Sequence, residues 1–284
     1  LGREANAARR WLNLGVSVQP AEIAKLAMIL FLASLICKMG RKVRSAKGFW
    51  MILLAAGFVS VLVWKVTDNL SSAIIIFGIA GLMLFVARPD YKRFIIIGAI
   101  GIAGAALLVF LIAKAGETEG MGFRSARILA WLDPESDPSD KGFQTLQALY
   151  AIGSGGIFGK GLGQSMQKLG YLPEEQNDMI FAVICEELGF AGAVAILLLF
   201  AALIVRGYYL ALHMRDRFSF LVTAGITTLL AIQVILNVAV VTNLVPCTGI
   251  SLPFFSYGGT ALLIQLAEMG IILSASRDIP AWRS

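Results

Sequence analysis

Ionisable side chains next to or inside apolar runs point most directly to chemistry in this chain, because charges in such places are rare and costly. Asp178 lies where a polar segment meets a long apolar run. The positive end of a helix dipole stabilises a carboxylate at that place, so helix capping and acid–base chemistry are both open for Asp178. Glu186 follows eight residues later, near the same helical face, with Glu187 beside it.

A second set of polar residues occurs in other apolar runs. Glu22 and Lys25 stand at i, i+3 and are predicted to form an ion pair, either structural or supporting a ligand. Glu186 and Glu187 are predicted to pair with that lysine or to cap backbone groups. Interhelical hydrogen bonding is favoured for four further positions, Gln233, Asn237, Gln265 and Glu268.

Trp11 follows two arginines just before the first apolar run. Membrane proteins concentrate tryptophan at the water–lipid boundary, so a belt residue is the favoured reading. The alternative is a platform for a lipid-linked sugar, with a neighbouring arginine on its phosphate.

The glycine-rich run 153–163 includes Lys160 but does not match a nucleotide-binding P-loop. Ser154 occupies the place of the first glycine, and Gly161 stands where serine or threonine is required. A compact loop whose backbone lies close to the membrane or to a ligand is predicted instead. Its backbone amides and Lys160 are candidates for contact with a pyrophosphate.

An irregular stretch at 246–259 lies between two apolar runs and includes Ser256 and Tyr257. Its prolines and glycines argue against a helix. Non-helical backbone survives at membrane depth only where protein buries it or where it lines a cavity. The stretch is therefore predicted to form a re-entrant wall.

Composition places these residues in a membrane protein. Hydrophobic residues make up 58% of the 284 residues and charged residues 15%, with a mean hydropathy of +0.79. Soluble domains carry about 25% charged residues. Seven membrane spans are predicted, at 20–37, 48–64, 69–87, 94–113, 179–205, 218–241 and 261–276.

The distribution of basic residues orients these spans. The connections 38–47, 88–93, 206–217 and the tail from 277 hold 13 of the 24 Lys and Arg residues in few positions, which marks them as cytoplasmic. The long 114–178 segment is then extracytoplasmic. The basic residues behind the net charge of +6 are thus expected to contact anionic lipid headgroups, and nucleic acid is not expected as a partner.

The 114–178 segment contains one predicted short helix. Apolar residues recur at helical spacing over 143–150, with Gln144 and Gln147 beside them, as in helices that lie on a membrane surface. Elsewhere, the lone histidine, His213, and three widely separated cysteines argue against a Ser/His triad, a zinc site or a disulfide framework.

Five stretches, in this order, closely resemble the SEDS family (shape, elongation, division and sporulation proteins), to which FtsW, RodA and SpoVE belong. Each stretch alone is weak, but the set is highly specific and extends over nearly the whole chain. The FtsW type is favoured by the residues at 9–11 and 171–174. The stretches are NAARRW at 6–11, QPAEIAK at 19–25, AIGSGG at 151–156, LPE, DMIFA and EELG within 172–189, and PCTGISLPFFSYGG at 246–259.

The resemblance implies an all-α, polytopic fold of ten spans, of which this chain would hold the last seven. Residues 1–284 would then be a single SEDS-type membrane domain. The chain begins with leucine, and it is expected to be a fragment that lacks the first three spans.

The resemblance also implies an enzyme, a peptidoglycan glycosyltransferase that polymerises lipid II, the undecaprenyl-pyrophosphate-linked disaccharide peptide, at the outer face of the bacterial cytoplasmic membrane. Cell division or cell-shape maintenance would be its context. The partners it implies are a class B penicillin-binding protein and other divisome or elongasome membrane proteins.

Site roles follow from the resemblance, and Asp178 falls on the family's essential aspartate and is the candidate general base. A cofactor is not certain, although a divalent cation (Mg or Mn) is one way to neutralise the lipid pyrophosphate. Substrate contacts are expected from Trp11, Lys25, Gln144, Lys160 and Glu174, and support from Glu22, Glu186, Glu187, Asn237, Ser256 and Tyr257.

Two competing functions and three departures accompany this hypothesis. A lipid II flippase or transporter would also use intramembrane charges, and a non-catalytic scaffold would only recruit the penicillin-binding protein. In the turn before the third span, Asp68 matches the acid that is usual in the family, but the glycine that usually follows is absent. Met179 stands where phenylalanine is usual, and Gly170 stands where some members have an acid.

Overall fold

Long apolar runs separated by polar turns form helices in the computed structural model, which describes residues 2–5, 8–13, 17–88, 91–115, 123–135, 142–277 and 279. Seven of these helices are long and apolar enough to cross a membrane, which confirms the seven predicted spans and the all-α, multi-pass class. The helices are α1 Pro20–Met39, α2 Ala46–Thr67, α3 Leu70–Ala87, α4 Tyr91–Ala115, α5 Phe123–Leu132, α6 Phe143–Gly155, α7 Ile180–Leu212, α8 Arg217–Val241 and α9 Gly259–Ser276.

Three short strands precede α1 and were not predicted. Strands β1 (Gly2–Ala5), β2 (Ala8–Asn13) and β3 (Ser17–Val18) form an antiparallel sheet in the order β1-β2-β3. In this register the backbone of Trp11 lies opposite Arg3. Strands of two to six residues are too short to show a clear alternation of apolar and polar residues.

The helices divide between two compact units, and the prediction of a single domain stays a prediction. The first unit holds Leu1–Pro89, Phe200–Ile232 and Tyr257–Ser284. In it α1 buries one face at helical spacing, including Ile29, Leu32 and Ile36. Gly225 on α8 permits close packing, because a Cβ there would lie 2.7 Å from Ile29 Cγ2.

The second unit holds Asp90–Leu199 and Gln233–Ser256. Helix α4 exposes almost all of its apolar side chains, as expected of a helix that faces lipid. Helix α6 matches the predicted short helix and continues five residues beyond it, whereas α5 was not predicted.

Helix α7 corrects the predicted span 179–205. It extends to Leu212, and its helical path is broken at Gly189, whose φ is 67° and ψ is −172°. Glycine takes this left-handed φ without the strain that other residues meet. The break separates a short helical piece before Gly189 from a long piece that begins at Phe190.

Candidate functional site

Asp178 lies in the turn that leads into α7. The turn reverses at Glu174, whose φ is 57°, and the backbone N–H groups of Asn177 and Met179 both donate to its carbonyl oxygen, at 3.0 and 3.3 Å. Leu172 is fully buried and fixes the start of the turn. As a result Asp178 is buried, with 9% of its surface exposed, two residues before the first residue of α7.

Two side chains from later in the chain hold the backbone at Asp178. Asn237 of α8 is fully buried, and its Nδ2 donates to the carbonyl oxygens of Asp178 at 2.7 Å and Ile250 at 2.8 Å. Ser256 Oγ donates to the carbonyl oxygen of Asn177 at 2.6 Å and accepts from Leu252 N–H at 2.7 Å. Two successive carbonyls at the candidate base are therefore fixed by side chains.

The stretch 246–256 also contacts the Asp178 carboxylate itself. Cys247 Sγ lies 4.0 Å from Asp178 Oδ2 and 3.8 Å from Gln144 Oε1 of α6. A Cβ at Gly249 would lie 3.8 Å from the same Oδ2, so a small residue leaves room beside the carboxylate. Burial, and after it the charge of Asp178, raise the pKa of the Cys247 thiol to about 11. The thiol is therefore protonated at neutral pH and is a weak donor.

Arg127 is a cation of this region that sequence reasoning missed. Its Nη1 donates to the carbonyl oxygen of Cys247 at 3.3 Å. Trp131, one helical turn later on α5, donates from Nε1 to the carbonyl oxygen of Asn243 at 3.0 Å. Helix α5 is thus fastened to the segment that contacts Asp178. The spacing of Arg127 and Trp131 at i, i+4 could have indicated a helix with both side chains on one face.

Glu186 and Glu187 are paired with lysines other than the one predicted. Glu186 Oε1 lies 2.7 Å from Lys160 Nζ, and Glu187 Oε1 lies 2.7 Å from Lys168 Nζ. The prediction of pairing with Lys25 is wrong for both. The prediction that they cap backbone groups is confirmed, because N–H groups over 165–167 donate to these carboxylates.

The predicted compact loop is present over 156–163 of the glycine-rich run, whereas residues 153–155 are the end of α6. Lys160 N–H and Gly161 N–H donate to the carbonyl oxygens of Glu186 and Glu187, and Phe190 N–H donates to that of Gly156. These bonds replace the helical bonds that the break in α7 leaves unmade. A Cβ at Gly159 would lie 2.2 Å from the carbonyl oxygen of Glu187, so this approach requires glycine.

The predicted pair Glu22–Lys25 is present in the first unit. Lys25 Nζ lies 2.7 Å from Glu22 Oε1, and Lys25 is only 2% exposed. Glu268 on α9 is also buried and close enough for charge interaction with both. A buried ammonium held 2.7 Å from a carboxylate on its own helix favours the structural reading of the pair.

The remaining predicted site residues have varied surroundings. Gln233 is buried and Tyr257 is 78% exposed. The side chain of Trp11 lies outside the described residues. Within the described residues, three or more His, Cys, Asp or Glu side chains do not come together in a group that could hold a metal ion.

Comparison with known proteins identifies relatives over almost the whole chain. The family profile described as cell cycle protein, FtsW/RodA/SpoVE, matches residues 1–279. Stage V sporulation protein E of Bacillus subtilis (strain 168) is 42% identical over 278 residues, which are 98% of this chain and 74% of that protein. A protein of Geobacter sp. (strain M18), named probable peptidoglycan glycosyltransferase FtsW, is 39% identical over 97% of this chain and 73% of its own length.

Solved structures give the same relationship. A peptidoglycan synthase complex, described for its coordination of polymerization and crosslinking, contains a chain with a TM-score of 0.78 and 29% identity, covering 99% of this chain and 76% of that one. The rod shape determining protein RodA of Thermus thermophilus has a TM-score of 0.67 and 29% identity, covering 99% of this chain and 73% of its own. The predicted resemblance is confirmed.

Proposed function

The chain belongs to the FtsW/RodA/SpoVE family of cell cycle proteins, and from that premise we propose that it is a peptidoglycan glycosyltransferase in which Asp178 is the general base. Relatives that are named peptidoglycan glycosyltransferases support the reaction class. The observation that carries the residue assignment is a buried carboxylate at the start of α7, with its backbone held by Asn237 and Ser256.

The reaction joins two sugars and releases a lipid pyrophosphate. Asp178 accepts the proton of a sugar hydroxyl on the acceptor, and the hydroxyl oxygen forms a bond to the anomeric carbon of the donor. The bond between that carbon and the pyrophosphate oxygen breaks, and the pyrophosphate leaves with the electron pair. General base catalysis of this kind contributes about 10²–10⁴-fold in rate.

Negative charge develops on the leaving group and requires cations. Arg127 is suited to this task, because its guanidinium contacts the backbone of Cys247, whose thiol lies beside Asp178. Arginine binds phosphate oxygens through two parallel donors. Lys160 and Lys168 supply further positive charge from the glycine-rich loop, where about a third of each side chain stays exposed.

Substrate and location follow from the same proposal. Lipid II is the substrate, and Gln144 and Glu174 contact its sugars. The site lies on the extracytoplasmic face of the cytoplasmic membrane, as the distribution of basic residues predicts. A class B penicillin-binding protein is the partner, which agrees in kind with the synthase complex among the structural relatives. Other divisome or elongasome proteins would assemble around this pair.

The test is lipid II polymerisation by the full-length protein with its class B penicillin-binding partner, read as glycan strands on a gel. Asp178→Asn keeps the size of the side chain but removes its basicity, so the rate should fall by about 10²–10⁴-fold. Asp133→Asn, at an exposed acid after α5, is the matched control and should keep the rate of the unaltered protein.

Thermal unfolding of both variants separates chemistry from folding. The proposal expects Asp178→Asn to unfold at the temperature of the unaltered protein. Polymerisation by Asp178→Asn at a rate close to that of Asp133→Asn would remove Asp178 from the role of base. Lipid II movement across vesicles without any glycan formation would instead favour a transporter.

A further inference from the structure

The loop from Gly156 to Tyr171 carries exposed apolar side chains that the proposed reaction does not use. Phe158 is 84% exposed and Leu162 is 77% exposed, while a soluble loop of this length usually exposes polar residues. The same loop contains Lys160 and Lys168 but no acid. Ile157, Met166, Leu169 and Tyr171 are also exposed.

The geometry of α7 gives the depth of this loop. The 33-residue helix would rise about 50 Å if it were continuous, against a hydrocarbon thickness of about 30 Å. The break at Gly189 leaves the piece from Phe190 to Leu212, which rises about 34 Å and is long enough to cross the bilayer by itself. The piece before the break, with Glu186 and Glu187, therefore projects beyond the hydrocarbon.

The loop is bonded to α7 at that break. Phe190 N–H and Ala191 N–H donate to the carbonyl oxygens of Gly156 and Ile157, at 2.9 and 3.0 Å. Phe190 is 69% exposed and begins the lipid-facing surface of the long piece. The exposed apolar side chains of the loop are thus held at the level where the hydrocarbon begins.

Charge supports the same placement. The ammonium groups of Lys160 and Lys168 are held 2.7 Å from Glu186 and Glu187, while their side chains stay about one-third exposed. Segments that combine apolar or aromatic side chains with lysines, without acids, bind the boundary between lipid tails and anionic headgroups. If the loop lay in water, its exposed apolar side chains would have no apolar surroundings.

We infer that residues 156–171 form an interfacial anchor that inserts Phe158 and Leu162 into the bilayer surface, with Lys160 and Lys168 at the headgroup phosphates. The anchor fixes the depth of the short helical piece that begins next to Asp178. Lipid is the occupant, because the loop is bonded to Phe190 and Ala191, where the exposed apolar surface of the long piece of α7 begins.

The depth of spin labels tests this inference independently of activity. The full-length protein, with Cys37, Cys185 and Cys247 replaced by alanine, receives a label at Phe158→Cys or Leu162→Cys. A label at Glu135→Cys, an exposed acid in the same unit, is the matched control. Each protein is reconstituted in vesicles of equal parts phosphatidylglycerol and phosphatidylcholine, and collisions with oxygen and with a water-soluble nickel chelate are measured.

Labels at 158 and 162 should show a ratio of oxygen to nickel collisions several-fold higher than the label at 135, because oxygen concentrates in lipid. Ratios equal to that at 135 would place the loop in water and overturn the inference. Low collision rates with both reagents at 158 and 162 would show that protein covers these residues, and would overturn it as well.

Discussion

Asp178 and Glu186 are buried acids eight residues apart in one unit, and the protein holds them by different groups. Asp178 is fixed through its main chain, since Asn237 and Ser256 bond to the carbonyls of Asp178 and Asn177. Glu186 is fixed through its carboxylate, which accepts from Lys160, Ser165 and two backbone N–H groups.

The difference separates a candidate chemical group from a structural one. A carboxylate that receives several charge-assisted and backbone hydrogen bonds is committed to organising the loop around it. The Asp178 carboxylate instead lies beside Cys247 Sγ, 4.0 Å from Oδ2, and beside Gly249, where a Cβ would lie 3.8 Å from the same oxygen. Burial alone therefore does not identify a catalytic acid. Whether the main chain or the carboxylate accepts the hydrogen bonds distinguishes the two acids better.

Glu186→Gln gives the largest stability effect expected here. The change removes the charge that pairs with Lys160 and places an NH2 donor opposite groups that themselves donate, so the free energy of unfolding should fall by about 3–5 kcal/mol. Thermal and denaturant unfolding of the purified protein measure it, with the exposed Glu135→Gln as control. Equal stability of the two variants would break the comparison, because Glu186 would then organise nothing.

Lys25→Met extends the comparison to the first unit. The carboxylate of Glu22 would stay buried without its ion-pair partner, so stability should fall by about 3 kcal/mol. The double variant Glu22→Met, Lys25→Met should recover most of this loss. If the double variant folds but makes no glycan, Lys25 acts on the donor phosphate and the structural reading of the pair fails.

Asn237→Ala tests whether holding the main chain matters for chemistry. Loss of the two bonds to Asp178 and Ile250 should lower kcat by about 10²-fold through misplacement of the base, with little change in KM. Gln233→Ala, one helical turn earlier and equally buried, is the control and should change stability without this loss of kcat. Equal kcat values for the two variants would contradict a positioning role for Asn237.

These results also show where sequence reasoning reached its limit. The pair Glu22–Lys25 could be predicted because partners three residues apart on one helix are neighbours. The pair Lys160–Glu186 could not, because 26 residues and an irregular loop separate its members.

The fold shows the same division between local and long-range information. The apolar runs predicted all seven spans. The break in α7 was hidden, since Gly189 lies within an otherwise helical apolar run and its φ depends on the loop bonded there. Arg127 was missed for a related reason, as its contact with Cys247 joins residues 120 positions apart.

The ionisation of the Cys247 thiol gives the smallest expected effect, a pH dependence above pH 9. Its pKa of about 11, against the usual 9.0, results first from burial and then from the charge of Asp178. Folding therefore favours the protonated thiol; this stabilisation is complete below pH 9 and is lost as the pH rises towards 11. Alkylation by iodoacetamide, followed by mass spectrometry, should keep accelerating above pH 9, and a plateau near pH 9 would contradict the pKa.

The break at Gly189 has a consequence for biogenesis. The insertion machinery receives α7 as one long apolar segment that contains two acids, Glu186 and Glu187. Their partners are lysines that lie 26 and 19 residues earlier in the chain. In the orientation that the basic residues predict, those lysines belong to an exported loop. That orientation predicts two separate steps, insertion of α7 and then docking of the loop onto it from the far side of the membrane.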